Sequence, residues 1–389
     1  MKNLYLKKSC EKRAQNGYLW IFSNEIENIS NFAPGEIVKI YTSNKEFIGI
    51  GYINPHSLIA VRILSRKEIN IDESFIANRI NNALELRTKL YQNPFYRLLF
   101  SEGDFLPGII IDRYDKVFSV QLNTFWADKS KQLIVNALQN IFGEDISIVL
   151  KNDNKMRLLE TLPLKVESLN KEFNGDIILE ENDVKMHVNI LKGQKTGYFF
   201  DQRENKKKIK EVSKDSYVID AFSYIGGWGL NALKGGAKRV TFVDSSQYAL
   251  ECAQYNVTLN KFKASTDFIK MDVVDFLKNL SQEQEKPDIL VIDPPAYVKS
   301  KKNINEAIKG YINLNKWAFR SVKKGGFIFT CSCSQHIDFE KFCWIINVSS
   351  QSAGRKYRIL SPLNQGFDHP INPKMPETNY LKGLFIQVL

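Results

Sequence analysis

Two cysteines one residue apart, Cys331 and Cys333, follow the apolar run 326–330. A thiol just past the carboxyl end of a buried strand is the strongest nucleophile a chain offers near neutral pH, once its pKa is lowered. A second apolar run, Asp288-Ile-Leu-Val-Ile-Asp-Pro-Pro295, closes on the carboxylate of Asp293. An acid there can hold the hydrogen-bonding edge of a ring and stabilise charge that develops during addition to it. Two further strand-like runs also end in acids, 239–243 at Asp244 and Ile269-Lys-Met-Asp272 at Asp272. A fourth acid, Asp220, lies in Val218-Ile-Asp-Ala-Phe-Ser-Tyr-Ile-Gly-Gly-Trp-Gly229, which reads as a buried strand, a glycine turn and a helix to about Lys234. Such a turn lets backbone N–H groups approach a ligand closely. Plainer roles exist for each residue: Cys333 as a buried structural thiol, Cys331 as packing or as the alternative nucleophile, and Asp272 as the N-cap of Val273–Leu280.

These acids need a sheet to line them up. From about residue 185 onward strand and helix patterns alternate, which predicts a doubly wound α/β domain with ligands bound at the carboxyl edge of its strands. A dinucleotide is the wrong ligand. Gly226-Gly-Trp-Gly229 lacks the G-x-G-x-x-G spacing, and Asp220 puts a carboxylate where a pyrophosphate would sit. A cofactor with a free amino group and no phosphate suits that acid, and Asp244 stands where an acid typically holds ribose hydroxyls. The pattern is that of a class I S-adenosylmethionine methyltransferase. The alternative is a nucleotide-free domain whose acids only cap helices. The last strands, near 356–360 and 384–389, have no helix pattern between them and are expected as an antiparallel pair at the sheet edge.

Two smaller regions precede this domain. Residues 1–69 read as a small β-barrel, with strands at 36–41, 46–53 and 58–64 separated by Ser43-Asn44 and Asn54-Pro55 turns. Arg13 and Arg62 are candidate phosphate contacts in it, and Trp20 and Phe22 are either core residues or base-stacking ones. Residues 70–184 read as an α+β region with helices at 72–91 and 127–142 and a hairpin closed near Asp115-Lys116. Its expected role is a linker or a floor under the substrate.

Lys and Arg total 54 against 43 Asp and Glu, a formal charge of +11, which favours an anionic partner, nucleic acid first, unless Lys-rich coding bias inflates it. The five cysteines (Cys10, Cys252, Cys331, Cys333, Cys343) form no C-x-x-C pair and suit a reducing compartment. The four histidines lie far apart, so no metal site is expected. Without a long apolar run or a signal-peptide core, the chain is expected to be cytoplasmic, with no membrane association.

With these motifs in hand, the chain resembles the RlmI-type large-subunit (23S) ribosomal RNA cytosine-C5 methyltransferases over nearly its whole length. Tyr18-Leu-Trp-Ile-Phe-Ser23, Pro34-Gly35 and Gly49-Ile-Gly-Tyr-Ile-Asn-Pro55 are similar to that family's N-terminal PUA domain. Glu102-Gly-Asp-Phe-Leu-Pro-Gly-Ile-Ile-Ile-Asp-Arg-Tyr114 resembles its central signature. Gly193-Gln-Lys-Thr-Gly-Tyr-Phe-Phe-Asp-Gln-Arg203 resembles the entry to its methyltransferase domain. Asp293-Pro-Pro-Ala-Tyr297 and Thr330-Cys-Ser-Cys-Ser334 are similar to its catalytic-face motifs, and Asp368-His-Pro370 and Tyr380-Leu-Lys-Gly383 to its C-terminal signature. The resemblance implies a PUA domain at 1–69, a central α+β domain at 70–184 and a Rossmann-like methyltransferase domain at 185–389. It also implies ribosomal RNA as partner, with a homodimer possible.

Motif position then assigns roles. Asp220, Phe222, Tyr224 and Gly226 surround the methionine part of S-adenosylmethionine. Asp244 with Ser245 holds the ribose, and Asp272 with Val273 the adenine. Tyr198, Phe199, Gln202 and Arg203 cover the amino-acid end, with Asp293 nearby, while the Lys206-Lys-Lys208 run is a solvated helix face. Cys333 adds to cytosine C6, so that C5 becomes enamine-like and takes the methyl group. Asp293 faces the base edge. Tyr297 stacks on the flipped base, and Lys299, Lys301 and Lys302 meet phosphates or form a solvated loop. Ala296 stands where other RNA cytosine methyltransferases carry a second cysteine, which leaves the base that removes the C5 proton open. Two rivals remain at this point: methylation of a base nitrogen by the Asp-Pro-Pro motif without a covalent step, and a non-catalytic RNA-binding or assembly protein.

Overall fold

Residues 1–169, 173–297 and 304–389 are described by the computed structural model. They fall into two units, the first made of Met1–Ile177, Asn189–Phe200 and Phe367–Thr378, the second of Ile178–Val188, Asp201–Gly366 and Asn379–Leu389.

The first unit holds two five-stranded sheets. Strands Lys2–Tyr5, Glu36–Tyr41, Phe47–Ile53, Val61–Ser65 and Trp20–Ile21 lie in that spatial order. Their inward residues, among them Leu4, Val38, Ile40, Ile53 and Val61, form a core of their own. The second sheet runs from Phe95–Phe100 through Ile109–Tyr114, Val117–Leu122 and Ser147–Asn152 to Lys165–Ser168. The expected hairpin pairs Tyr114 with Val117. Helices Glu73–Leu90 and Lys131–Phe142 share its apolar core. The pattern expected over 127–142 breaks at Ser130, so Phe125–Lys129 is a separate short helix with its N-terminus capped by Thr124.

The second unit is built on a seven-stranded sheet. Helix α1 (Arg203–Val212) leads into β1 (Tyr217–Ala221), then α2 (Gly227–Lys234), β2 (Arg239–Asp244), α3 (Gln247–Leu259), β3 (Ser265–Lys270), α4 (Val273–Leu280), β4 (Ile289–Ile292), α5 (Ile304–Ser321), β5 (Phe327–Ser332), α6 (Phe339–Ala353), β6 (Tyr357–Asn364) and β7 (Lys382–Val388). The spatial order is β3-β2-β1-β4-β5-β7-β6. The first five strands are parallel, and β7 runs antiparallel between β5 and β6. The antiparallel pair expected from the last strands is therefore present. A dinucleotide fold ends 3-2-1-4-5-6 with no inserted strand. Every residue of β1 and β4 is buried, as central parallel strands covered on both faces require. Helix α4 buries Val273, Phe276, Leu277 and Leu280, one stripe at helical spacing.

The sheet order reverses between β1 and β4, the place where open parallel sheets bind ligands. No helix among the described residues is long and apolar enough to cross a membrane.

Candidate active site

Register fixes the site first. Asp220 on β1 lies opposite Val291 of β4 and Phe242 of β2, so the ends of these three strands open side by side. Asp220 is fully buried. Its Oδ2 accepts the Gly229 N–H at 2.8 Å, while Oδ1 is buried with no hydrogen-bond partner among the described residues. Burial pushes its carboxyl pKa up to about 7; the charges of Asp293 and Asp244 add to the rise, and the Gly229 N–H opposes it. A buried acceptor normally has a partner. An orphaned carboxylate oxygen at a strand end fits a ligand that brings a cationic donor, such as an ammonium. The Ser223 hydroxyl is buried without a partner in the same turn, a feature the sequence pattern did not single out.

The turn has an unusual backbone. Phe222, Tyr224 and Gly226 have φ of 64°, 48° and 88°. Two of these are non-glycine residues in the left-handed region, a conformation that persists where the surroundings impose it. A Cβ at Gly229 would overlap the Phe242 ring, so this glycine lets α2 pack on β2 and brings its N–H to Asp220.

Along the neighbouring strand ends, Asp244 is half-buried and takes the Tyr224 N–H on Oδ2 (2.9 Å) and the Ser246 N–H on Oδ1 (2.8 Å). It thus fixes the turn while both oxygens keep acceptor capacity. Ser245 is exposed beside it. The strand expected to end at Asp272 ends at Lys270. Asp272 is the exposed N-cap of α4, its Oδ1 accepting from Val274 N and Asp275 N, and Val273 is buried under it.

Past the end of β4, Asp293 is clamped on both oxygens: Gln202 Nε2 donates to Oδ1 and Trp228 Nε1 to Oδ2, each at 3.0 Å. Asn205 in turn holds the Gln202 carbonyl at 2.7 Å. Trp228 was legible only as part of the turn; nothing local marks its indole as an Asp293 partner. The two thiols differ. Cys331, inside β5 opposite Gly383, is buried, and burial followed by the charge of Asp293 pushes its thiol well up. Cys333 lies one residue past β5 and is half-exposed, its Sγ 4.0 Å from the Pro294 carbonyl oxygen. Tyr311 of α5 anchors the hydroxyls on either side of it, Ser332 and Ser334, both at 3.0 Å. Tyr297, half-buried, packs on Tyr311 with ring centroids 4.7 Å apart; burial pushes its hydroxyl up to about 12.

Several expected residues stand elsewhere or are engaged. Tyr198 and Phe199 belong to the first unit; Tyr198 is buried edge-on against Phe200, and the Lys195 ammonium lies 4.2 Å from the Phe199 ring centre. Arg203 is buried, with its guanidinium Nε on Glu181 at 3.1 Å. Lys206 is a correction, since it shares Glu181 and is buried, not solvated. Arg62, expected at a phosphate, is instead buried and paired with Glu160 at 2.9 Å inside the unit. Arg13 is exposed, paired with Glu25 at 2.6 Å and set over the Tyr18 and Phe22 rings. Trp20 and Phe22 are half-buried, and the Trp20 indole donates to Glu102 at 2.8 Å. Lys299, Lys301 and Lys302 lie outside the described residues. Asp368 and His369 are buried in the first unit, where Asp368 accepts the Arg97 N–H at 2.9 Å. Among the described residues, no group of three or more His, Cys, Asp or Glu side chains could hold a metal ion.

A PUA-like domain model matches residues 4–66, and one described as Conserved hypothetical protein 95 matches residues 200–357. The chain is 36% identical to the ribosomal RNA large subunit methyltransferase I of Vibrio vulnificus strain CMCP6, with 99% of each chain covered. It is 36% identical to the protein of the same name from Aliivibrio fischeri strain MJ11, covering 100% of this chain and 99% of that one. Among solved structures it is similar to a candidate methyltransferase complexed with SAH (TM-score 0.87, 20% identity, 100% of both chains). It is also similar to a candidate SAM-dependent methyltransferase from Streptococcus mutans (TM-score 0.85, 21% identity, 100% of both chains). The fold is that of a SAM-dependent methyltransferase with an N-terminal PUA-like domain, in line with the sequence-based expectation.

Proposed function

The chain belongs to the ribosomal RNA large subunit methyltransferase I family, and from that membership we propose that it methylates C5 of a cytosine in large-subunit ribosomal RNA, with Cys333 as a transient covalent nucleophile. S-adenosylmethionine, when bound, supplies a methyl group on a positively charged sulfur. Asp220 and Ser223, with their unpartnered buried oxygens, would hold the amino group at its methionine end. Asp244 would hold the ribose hydroxyls, and Asp272 with Val273 the adenine. Asp293, aimed by Gln202 and Trp228, would face the cytosine edge, while Tyr297 stacks on the base and Arg13 meets phosphate.

Cytosine C5 is too weak a nucleophile to act unaided. Addition of the Cys333 thiolate to C6 forms a C–S bond and moves the ring's electrons toward C5, which then takes the methyl group. Loss of the C5 proton to a base and departure of the thiolate restore the C5–C6 double bond and the enzyme. The observation that carries this reading is the position of Cys333, a partly exposed residue with its sulfur 4.0 Å from the Pro294 carbonyl beside Asp293.

Purified protein, labelled S-adenosylmethionine and RNA from cells lacking the protein test it. Cys333→Ala should lose methyl transfer while Cys331→Ala keeps it, and 5-fluorocytidine RNA should trap a covalent adduct on the wild type. Methylation of a base nitrogen that survives Cys333→Ala would replace this reading. A protein without affinity for S-adenosylmethionine would be a binding or assembly factor.

A further inference from the structure

We propose that Lys382 is the positioning residue of the nucleophile: its ammonium pins the loop that carries Cys333 and compensates the negative charge of the Cys333 thiolate. The inference deepens the covalent reading above and rests on it.

Lys382 begins β7, paired with Ser332, the residue before Cys333. It is 6% exposed. Its Nζ donates to the carbonyl oxygens of Ser334 and Ile337, both at 2.7 Å, and so ties down both ends of the short loop that leaves β5. Among the described residues it has no carboxylate within ion-pair distance. A buried ammonium held only by carbonyl dipoles is costly, and a chain normally supplies it with an anion.

The loop that Lys382 pins carries Cys333, and the charges acting on Lys382 point to its thiolate as that anion. Asp293 follows β4, Cys331 lies on β5, Tyr311 on α5, Asp338 at the start of α6 and Lys382 on β7. Burial lowers the Lys382 pKa to about 8, and the two charges that oppose the fall are first Cys333 and then Asp338. Coupling between two groups is reciprocal. If the thiolate favours the ammonium, the ammonium favours the thiolate to the same extent, and a lysine beside a cysteine is a recognised way to raise its thiolate fraction.

The test measures Cys333 alkylation by iodoacetamide against pH, read peptide by peptide by mass spectrometry on the full-length protein, with Cys10 in the same digest as reference. In Lys382→Met, shown by circular dichroism to be folded, the pH midpoint of Cys333 should rise by about one unit, a roughly tenfold slower reaction below the midpoint, while Cys10 is unchanged. An unchanged midpoint in the folded variant overturns the proposal. Should Lys382→Met not fold, the reciprocal measurement decides: in Cys333→Ala, the lysine side-chain carbon resonance of Lys382 should titrate at lower pH than in the wild type, and an unmoved titration overturns it. Neither readout needs RNA or a methyl donor. Failure of the coupling is therefore seen separately from failure of the covalent route, which shows as methylation surviving Cys333→Ala.

Discussion

The first unit and the strand ends of the second both bury charge, and they use it in opposite ways. In the first unit the buried arginines are spent on carboxylates of the same unit. Arg62 meets Glu160, Arg87 grips both oxygens of Asp104 at 2.7 Å, Arg97 holds Asp112, and Arg157 holds Asp128. These pairs knit strands and loops that are distant in sequence. At the strand ends of the second unit, buried charge is left partly unspent. Among the described residues, Asp220 has one oxygen satisfied and one orphaned, and Lys382 has carbonyls but no carboxylate. Paired charge builds the scaffold; under the proposed function, a ligand or a reactive group would complete the charge that lacks its complement.

Breaking a completed pair should produce the largest effect. Arg97→Met leaves Asp112 fully buried with Thr196 as its hydroxyl partner and no counter-ion. Removing one partner of a buried ion pair costs about 3–5 kcal/mol. Denaturant titration should show that loss, and a change below about 1 kcal/mol, the level of an exposed pair, would mean the pair contributes little to the scaffold.

The incomplete site should answer with the opposite sign. Asp220 titrates at about 7 in the folded state against an ordinary 3.8. Between these values the folded protein holds a proton that the unfolded chain has released, so stability falls as pH rises through the window from about 4 to 7. At pH 8 the whole penalty is present. Asp220→Asn removes it and keeps the acceptor for Gly229, so the ligand-free variant should gain about 2–4 kcal/mol at pH 8 and little at pH 4. The same variant should lose affinity for S-adenosylmethionine, measured by titration calorimetry. A variant destabilised at pH 8 would place Asp220 with the scaffold charges.

This division also explains what could be read from the sequence. The acids of β1, β2 and β4 and the thiol after β5 were legible because each interrupts or ends an apolar run, and buried parallel strands advertise their ends that way. Arg62 and Lys206 misled for the complementary reason. Alone in sequence a cation looks solvated, and their partners, Glu160 and Glu181, are brought to them only by the fold. The indole of Trp228 on Asp293 and the ammonium of Lys382 under Ser334 are long-range contacts of the same kind. The Asp368-His369 pair is more distant still: it was visible as a motif, yet its place is against Arg97 in the first unit.

Asp272 lies on the line between the two uses of charge. Its Oδ1 caps α4 through Val274 and Asp275 at 2.9 and 3.2 Å, and no described residue donates to Oδ2. Asp272→Ala should lose about 1 kcal/mol from the cap alone. Asp272→Ser separates the roles, because serine caps about as well but its shorter side chain has no second oxygen to extend toward an adenine. The serine variant should keep wild-type stability within a few tenths of a kcal/mol and bind S-adenosylmethionine more weakly. If it binds as the wild type does, the carboxylate is fully spent on the helix, and the cofactor's adenine is held by other groups, Val273 first among them.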